Sequence, residues 1–381
     1  MFLSYHLTMK AWKGALFALL VMVVASILFF GYFCFDSNSC ALTHQSVTPA
    51  YRSDLDAFLA GAYNRHTFRE KDVVRDLDVN TEEDVFVFLH IQKTGGTTFG
   101  KHLVDDLDVD PPCFCYKRKK KHCDCYTKNR KIWLFSRFST GWSCGLHPDW
   151  TELTACVDAM MNKKEKMKRR RRYLYITILR NPVKRFLSEW MHVRRGATWK
   201  TATLACNKRS ATLEEVPFCF DTVDWKNVSI DEFMNCPHNL AINRQSRMLA
   251  NLTLVNCYNT TGMSTEERNA RILASAKENL RKLAFFGLTE VQNLTQKLFE
   301  HTFGLEFADD FVQWMSTRSS QSGLSKAVID RIIELNRNDI YLYQYAKDLF
   351  HQRVTKMMKE MDSNHSNLDL KTLNKDDDLV I

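Results

Sequence analysis

Three short stretches of the chain are almost uninterrupted in apolar residues: VFVFLHI at 85–91, YLYITIL at 173–179 and AFFGL at 284–288. Runs of this kind, rich in β-branched and aromatic side chains and without alternation, predict strands buried on both faces, as in a parallel sheet. A helical pattern follows each. From Thr97 the sequence TTFGKHLVDDL starts one helix. Pro182 at a first turn and Gly196 as a stop bracket PVKRFLSEWMHVRR as a second. Thr289 and Gln292, spaced as a capping box, open another that stops at Gly304. Ser264 and Glu267 make a further capping box before an amphipathic stretch ending near Leu283. Strands alternating with helices predict a three-layer α/β domain with a mostly parallel sheet, and ligands at the carboxyl ends of its strands.

A fourth apolar run is of a different kind. Residues 14–35, GALFALLVMVVASILFFGYFCF, are 22 positions without a charge, and at about 1.5 Å per residue such a helix crosses a bilayer. It lacks the polar stripe of a core helix, is longer than a signal-peptide apolar region and has no small-residue cleavage site after it. It is therefore expected to be an uncleaved transmembrane signal anchor. Lys10 and Lys13 precede it and Asp36 follows, so residues 1–13 are a cytoplasmic tail and the rest of the chain is luminal, the type II arrangement. Residues 36–83 are polar and without period, a luminal stem; 84–355 form one large domain; 356–381 are too polar for a core and read as a tail.

The cysteines agree with a lumen. Cys113, Cys115, Cys123, Cys125, Cys144, Cys156, Cys206, Cys219, Cys236 and Cys257 lie in the middle of the chain, as disulfides of an oxidising compartment would, although the sequence does not pair them. The one-residue spacing within the 113/115 and 123/125 pairs is too tight for a usual zinc site, and no paired histidines follow. Cys40 is left over beside the span and is a candidate bridge between two chains of a homodimer. Acceptor patterns for N-glycosylation begin at Asn227, Asn251, Asn259, Asn293 and Asn364.

The candidate chemistry sits at the ends of the predicted strands. The first strand ends in Gln92-Lys-Thr-Gly-Gly-Thr-Thr98 and turns into a helix, which surrounds one small space with main-chain N–H groups and a helix N-terminus: an anion cradle. Gly95 and Gly96 admit close approach, Thr97 and Thr98 offer hydroxyls, and Lys93 supplies a mobile charge. Lys93 precedes the glycines, whereas a nucleotide P-loop has its lysine after them, which disfavours a Walker ATPase. The bland alternative is a tight turn with an exposed lysine. At the second strand tip, Arg180 and, two turns on, Ser188 are placed to hold a second, more distant phosphate. The formal net charge of +9 fits a polyanionic partner as a bulk property. A basic run, KKEKMKRRRR at 163–172, reads either as a solvated face or, in a cytosolic protein, as a nuclear signal, and the anchor argues against the second.

The pair K-T-G-G-T-T and R-N-P-x-x-R-F-x-S resembles the 5′- and 3′-phosphate sites of sulfotransferases that use 3′-phosphoadenosine 5′-phosphosulfate (PAPS). Three longer stretches, IWLFSRFSTGWSCGLHPDWTEL at 132–153, EWMHVRRGATWKT at 189–201 and AFFGLTE at 284–290, look like heparan sulfate 6-O-sulfotransferases. The resemblance implies a P-loop-kinase-like domain in the Golgi, PAPS as donor, heparan sulfate rather than nucleic acid as partner, and no required metal. It places Lys93 at the bridging oxygen as charge builds there. Thr94, Gly95, Gly96, Thr97 and Thr98 surround the 5′-phosphosulfate, and Arg180 and Ser188 hold the 3′-phosphate. In the late loop, Thr317 and Ser322 close on the nucleotide and Arg318 contacts a substrate anion. His147, inside the central motif, is implied as the general base, an imidazole being able to accept a proton where a lysine is charged. Lys120 and Lys121, within 117–121, are expected to contact the acceptor chain, with Trp142 and Trp199 as sugar platforms. The expected reaction is sulfonation of the 6-hydroxyl of glucosamine. Sulfonation of uronic acid 2-hydroxyls, or a heparin-binding protein without catalysis, are the alternatives.

Overall fold

All three apolar runs form strands of one sheet. The computed structural model describes residues 66–74, 77–116, 122–311 and 324–376, with side chains to residue 363. Strands β1 (Asp84–Leu89), β4 (Leu134–Phe135), β5 (Arg172–Leu179) and β8 (Phe285–Leu288) lie in the order β4-β1-β5-β8. Every pairing is parallel, with Phe86 opposite both Leu134 and Leu174 and Ile176 opposite Phe285. Two small antiparallel ribbons lie apart from it, β2 (Phe114–Cys115) with β3 (Cys123–Asp124) and β6 (Ala205–Cys206) with β7 (Arg209–Ser210).

The helices are α1 (Glu70–Val73), α2 (Gly96–Asp105), α3 (Trp150–Glu165), α4 (Pro182–Val193), α5 (Ile230–Asn235), α6 (Arg244–Leu249), α7 (Thr265–Lys282), α8 (Gln292–Phe303), α9 (Lys326–Leu335) and α10 (Arg337–Asp376). The result is a mixed α/β protein around a parallel sheet. All six residues of β1 are buried, which is why its sequence has no polar alternation. Against it and β8, α8 stacks Phe299 and Phe303, with ring centroids 4.9 Å apart for Phe86 and Phe303 and 5.1 Å for Phe285 and Phe299.

Several expectations hold in detail. Pro182 is the first residue of α4, and the side chain of Asn181 accepts from the Lys184 N–H at its start. Ser264 caps α7 by accepting from the Glu267 N–H, and Gly304 ends α8 in the left-handed region. Thr289 differs: α8 begins at Gln292 behind Val291, with no side-chain cap. The Thr289 hydroxyl instead lies 2.6 Å from the Thr94 carbonyl oxygen and 2.9 Å from that of Leu179, tying the loops after β1 and β5 together. An interloop bond of this kind competes with the cap and removes it.

All ten cysteines within the described residues are paired, as Cys113–Cys125, Cys115–Cys123, Cys144–Cys156, Cys206–Cys257 and Cys219–Cys236. Cys40 and the apolar run at 14–35 lie outside the described residues; within them no helix is long and apolar enough to cross a membrane.

Both ends of the described chain are more structured than their polarity suggests. Helix α10 runs from Arg337 to Asp376, and over its first half Ala346, Leu349, Phe350, Val354 and Met357 recur at helical spacing and are buried. On this helix dock residues that the sequence reading counts with the stem. His66 Nδ1 is 2.7 Å from Asp348, the Phe68 ring is 4.9 Å from Tyr345, and Asp72, only 4% exposed, pairs with Arg281. Arg353 donates to the Asp72 carbonyl oxygen at 3.1 Å. Hydrogen bonds to charged groups are worth roughly 1.5–3 kcal/mol. Asp72→Ala is therefore expected to cost about 2 kcal/mol, and a chain starting at residue 84 at least as much. Thermal unfolding checks both; unchanged midpoints would mean that this segment contributes nothing to the fold.

Candidate active site

The loop after β1 is shaped by two backbone requirements. Lys93 and Gly95 have positive φ, 68° and 82°, so the chain turns sharply before entering α2. A Cβ on Gly96 would stand 2.4 Å from the His90 ring, so only glycine fits. Thr94 is fully buried and its hydroxyl donates to the Ile91 carbonyl oxygen at 3.0 Å, so only its main-chain N–H remains to meet a ligand. The N-terminus of α2, without a side-chain cap, leaves its first N–H groups directed at the loop mouth.

Arg180 closes the adjoining side. Its guanidinium donates to the Lys93 carbonyl oxygen at 3.1 Å, while Gln245 clamps its main chain, accepting from the N–H and donating to the C=O at 2.9 Å each. Asp339 in turn accepts from the main chain of Gln245 and Ser246. The strand tip is thus fixed from behind by α6 and α10.

Lys93, Gly95, Gly96, Thr97, Thr98, Arg180, Ser188, His147, Trp142 and Trp199 all line one cleft of about 580 Å³ at the carboxyl ends of β1 and β5. A second cavity of about 500 Å³ shares Gly95, Thr97, Thr98 and Arg180 with it and extends to Thr289, Gln292 and Phe311. Burial pushes the Lys93 ammonium below its usual range, helped by the charges of Arg195, Arg180 and Arg185 and opposed by Glu189.

His147 is held by three rings and one hydrogen bond. Its centroid lies 4.6 Å from His90, 4.8 Å from Trp142 and 5.4 Å from Trp199. Its Nδ1 is 3.0 Å from the His90 carbonyl oxygen, an acceptor only, so Nδ1 carries the proton and Nε2 presents a lone pair. The residue has φ of 51°, a left-handed conformation that a non-glycine residue adopts at a cost and that concentrates at functional sites. Burial pushes the imidazole down to about 4, aided by Arg137 and Arg244. The ring is neutral, desolvated and of one tautomer.

Beneath this cleft lies a charge cluster that the sequence did not announce. Glu189 on α4 is fully buried and accepts from Arg185, from Arg244 and, at 3.0 Å, from the Trp199 indole N–H. Sequence reasoning missed Arg137 and left His192 only as a competing histidine near the donor motifs; both line the cleft. Arg137 is pushed down to about 10 by burial, and its Nε and Nη2 have no hydrogen-bond partner among the described residues. His192 is pushed down to about 4 by burial and by the charges of Lys93 and Arg195. The available signal was position: Arg137 is ten residues before His147 in the same motif, and His192 falls one helical turn after Ser188.

Lys120, Lys121, Thr317, Arg318 and Ser322 lie outside the described residues. Asn227 and Asn293 are exposed, whereas Asn251 and Asn259 are partly buried and bonded to the hydroxyls of Thr253 and Thr261. Asn364 falls on α10, beyond the described side chains. Among the described residues one group has metal-ligand spacing, Asp105 with Cys115 and Cys123. Its two cysteines are bonded to each other.

Residues 75–346 match the model of the sulfotransferase family. The chain is 56% identical over 292 residues to heparan-sulfate 6-O-sulfotransferase 1-B of Danio rerio, covering 76% of this chain and 72% of that protein. It is 48% identical over 354 residues to heparan-sulfate 6-O-sulfotransferase 2 of Gallus gallus, covering 91% and 87%. To heparan-sulfate 6-O-sulfotransferase 3 of Homo sapiens it is 55% identical over 294 residues, 76% of this chain and 62% of that protein.

Proposed function

The chain belongs to the sulfotransferase family, among its heparan sulfate 6-O-sulfotransferases, and from that membership we infer how its cleft works. The protein is an enzyme that transfers a sulfonate group to the 6-hydroxyl of glucosamine residues in heparan sulfate, and its donor is PAPS. The observation that carries the site assignment is the single cleft shared by the Lys93 loop, Arg180, Ser188 and His147.

The residues present suit an anionic nucleotide. The desolvated Lys93 makes no ion pair among the described residues, and the helix N-terminus is uncapped. PAPS supplies a sulfonate group on a phosphate leaving group. Lys93, the N–H groups of Gly95, Gly96 and Thr97 and the Thr98 hydroxyl hold that phosphate and stabilise the charge growing on it. Arg180 and Ser188 hold the 3′-phosphate. His147 takes the proton of the attacking hydroxyl at Nε2, its Nδ1 kept on the His90 carbonyl. Trp142 and Trp199 flank the base and carry the sugar, and Arg137 faces an acceptor anion. Lys120, Lys121 and Arg318 extend the acceptor contact, and Thr317 and Ser322 that of the donor.

The wider reading is a P-loop-kinase-like, three-layer domain held in the Golgi lumen by the uncharged run at 14–35, with a stem behind it whose residues 66–74 pack on the domain. The five disulfides support the oxidising compartment. Of the glycosylation acceptors, Asn293 is the least suited, because its Thr295 is buried and bonded within the chain to Leu288. A homodimer bridged through Cys40 belongs to the same reading.

The test is product analysis after the full chain acts on N-sulfated heparosan with labelled PAPS. Label on glucosamine O6 is expected. Label on uronic acid O2 would overturn the acceptor, and no label with a folded, nucleotide-binding protein would favour a heparin-binding protein without catalysis.

A further inference from the structure

The basic run at 163–172 is only partly used by the fold. Arg171 has a fully buried side chain and donates to Glu165 and Asn162, at 2.7 Å each. Arg169 donates to the same Glu165 at 2.9 Å, and Arg172 grips Asp84 through two bonds of 2.6 Å. From Lys168 to Arg172 exposure alternates, with 168, 170 and 172 outward and 169 and 171 inward, the two-residue period of an extended chain. Lys163, Lys164, Lys166, Lys168 and Arg170 are left exposed, and none of the five makes an ion pair among the described residues.

Most of the carboxylates near them are already engaged, Asp78 and Glu83 beside Arg172 being the exposed exceptions. Glu165 serves Arg169, Arg171 and the Ile132 N–H; Asp84 serves Arg172; Glu82 lies 3.3 Å from Lys131. These contacts also bring the 127–131 turn alongside, with exposed Arg130 at its tip. Ordinary surfaces mix charges of both signs, and a ridge of one sign carries a cost in self-repulsion that a counter-charged partner relieves. Its outward cations at 168 and 170 stand about 7 Å apart along an extended segment, an arrangement suited to a linear polyanion.

The ridge is far from the catalytic cleft. Helix α3 starts three residues beyond His147 and ends at Glu165, a length of about 24 Å. Strand β5 runs eight residues from Arg172 to the cleft, about 26 Å. Two independent elements thus put the ridge roughly 25 Å from the site of chemistry.

We propose that this ridge is a second, non-catalytic binding site for a distal segment of the same sulfated polysaccharide whose glucosamine is being modified. The proposal rests on the heparan sulfate reading above. Holding the chain at two points raises its effective concentration at the cleft without any new contact to the reacting sugar, and the gain is lost for an acceptor too short to span both.

The test compares the full chain, purified in detergent, with Lys164→Glu/Lys168→Glu/Arg170→Glu. On N-sulfated heparosan polymer, kcat/KM is expected to fall about 10-fold or more, through KM and not kcat, with the difference fading at high salt. On an N-sulfated tetrasaccharide the two proteins should be alike. Unchanged polymer kinetics overturn the proposal, as does an equal loss on both acceptors or a variant whose only change is weaker binding to phosphatidylserine vesicles. Should the unaltered chain sulfate no polymer, the functional reading fails separately. Retention on immobilised N-sulfated heparosan then decides the ridge: weaker in the variant supports it, equal overturns it.

Discussion

Replacing His147 by alanine is expected to lower turnover by about 10²–10⁴-fold while leaving affinity for the desulfated nucleotide intact, as kinetics and calorimetry would read. The proposed donor loop does not need the imidazole: the free N–H groups at its mouth belong to the main chain of Gly95, Gly96 and Thr97. What the ring contributes is a lone pair at Nε2, fixed because Nδ1 is committed to the His90 carbonyl oxygen. The pH profile carries the same assignment. A base works only when unprotonated, and burial has pushed this one from about 6.5 down to about 4. The acid limb of kcat/KM should therefore lie well below 6.5, the activity falling as pH drops toward about 4. A limb at the ordinary imidazole value would mean a solvated ring and sink the argument. His192 is pushed to a similar value, so the two must be separated: if His192→Ala removes the limb and His147→Ala leaves turnover normal, the base is His192.

The strands and the sharp turn after the first of them were legible because each rests on a local signal. Unbroken apolar runs such as 85–91 have no other comfortable place than the middle of a parallel sheet, and a loop with two glycines after such a strand has few uses. His147 was legible only through its motif; nothing local distinguishes it from a loop histidine, and of its ring partners only Trp142 shares that motif, while His90 and Trp199 come from two other parts of the chain. Strand β4 was not predicted because two residues inside IWLF carry no period. Thr289 was misread for the opposite reason: a capping-box spacing was present, but the hydroxyl found better acceptors on the loops after β1 and β5. Polarity misled at both ends, where Asp72 is buried by Arg281 and Arg353, and α10 outlasts its apolar composition.

Glu189 shows the same limit with larger consequences, and Glu189→Ala is expected to destabilise the protein by about 3–5 kcal/mol. In sequence, Arg185 and Glu189 are an ordinary helical pair four residues apart, of the sort worth a few tenths of a kcal/mol on a surface. In the structure both are buried, and Arg244 closes on the carboxylate from the far side. Burial raises the carboxyl, but the two arginines overcome it and hold the group down to about 2. Its contribution is therefore complete above the usual glutamate range and would be lost only as pH falls through about 2. Removing it leaves two guanidinium groups facing each other out of water and frees the Trp199 indole beside His147. Replacing all three residues together, as Glu189→Met/Arg185→Met/Arg244→Met, should recover much of the lost stability, since a buried ion triad often does no better than apolar side chains of similar volume. That recovery should not restore acceptor affinity, because the indole stays unanchored. Denaturant unfolding and acceptor KM, measured on both variants, separate the two roles. A cost for Glu189→Ala below about 1 kcal/mol, the level of a surface pair, would mean that water reaches the cluster and that Trp199 is held by packing alone.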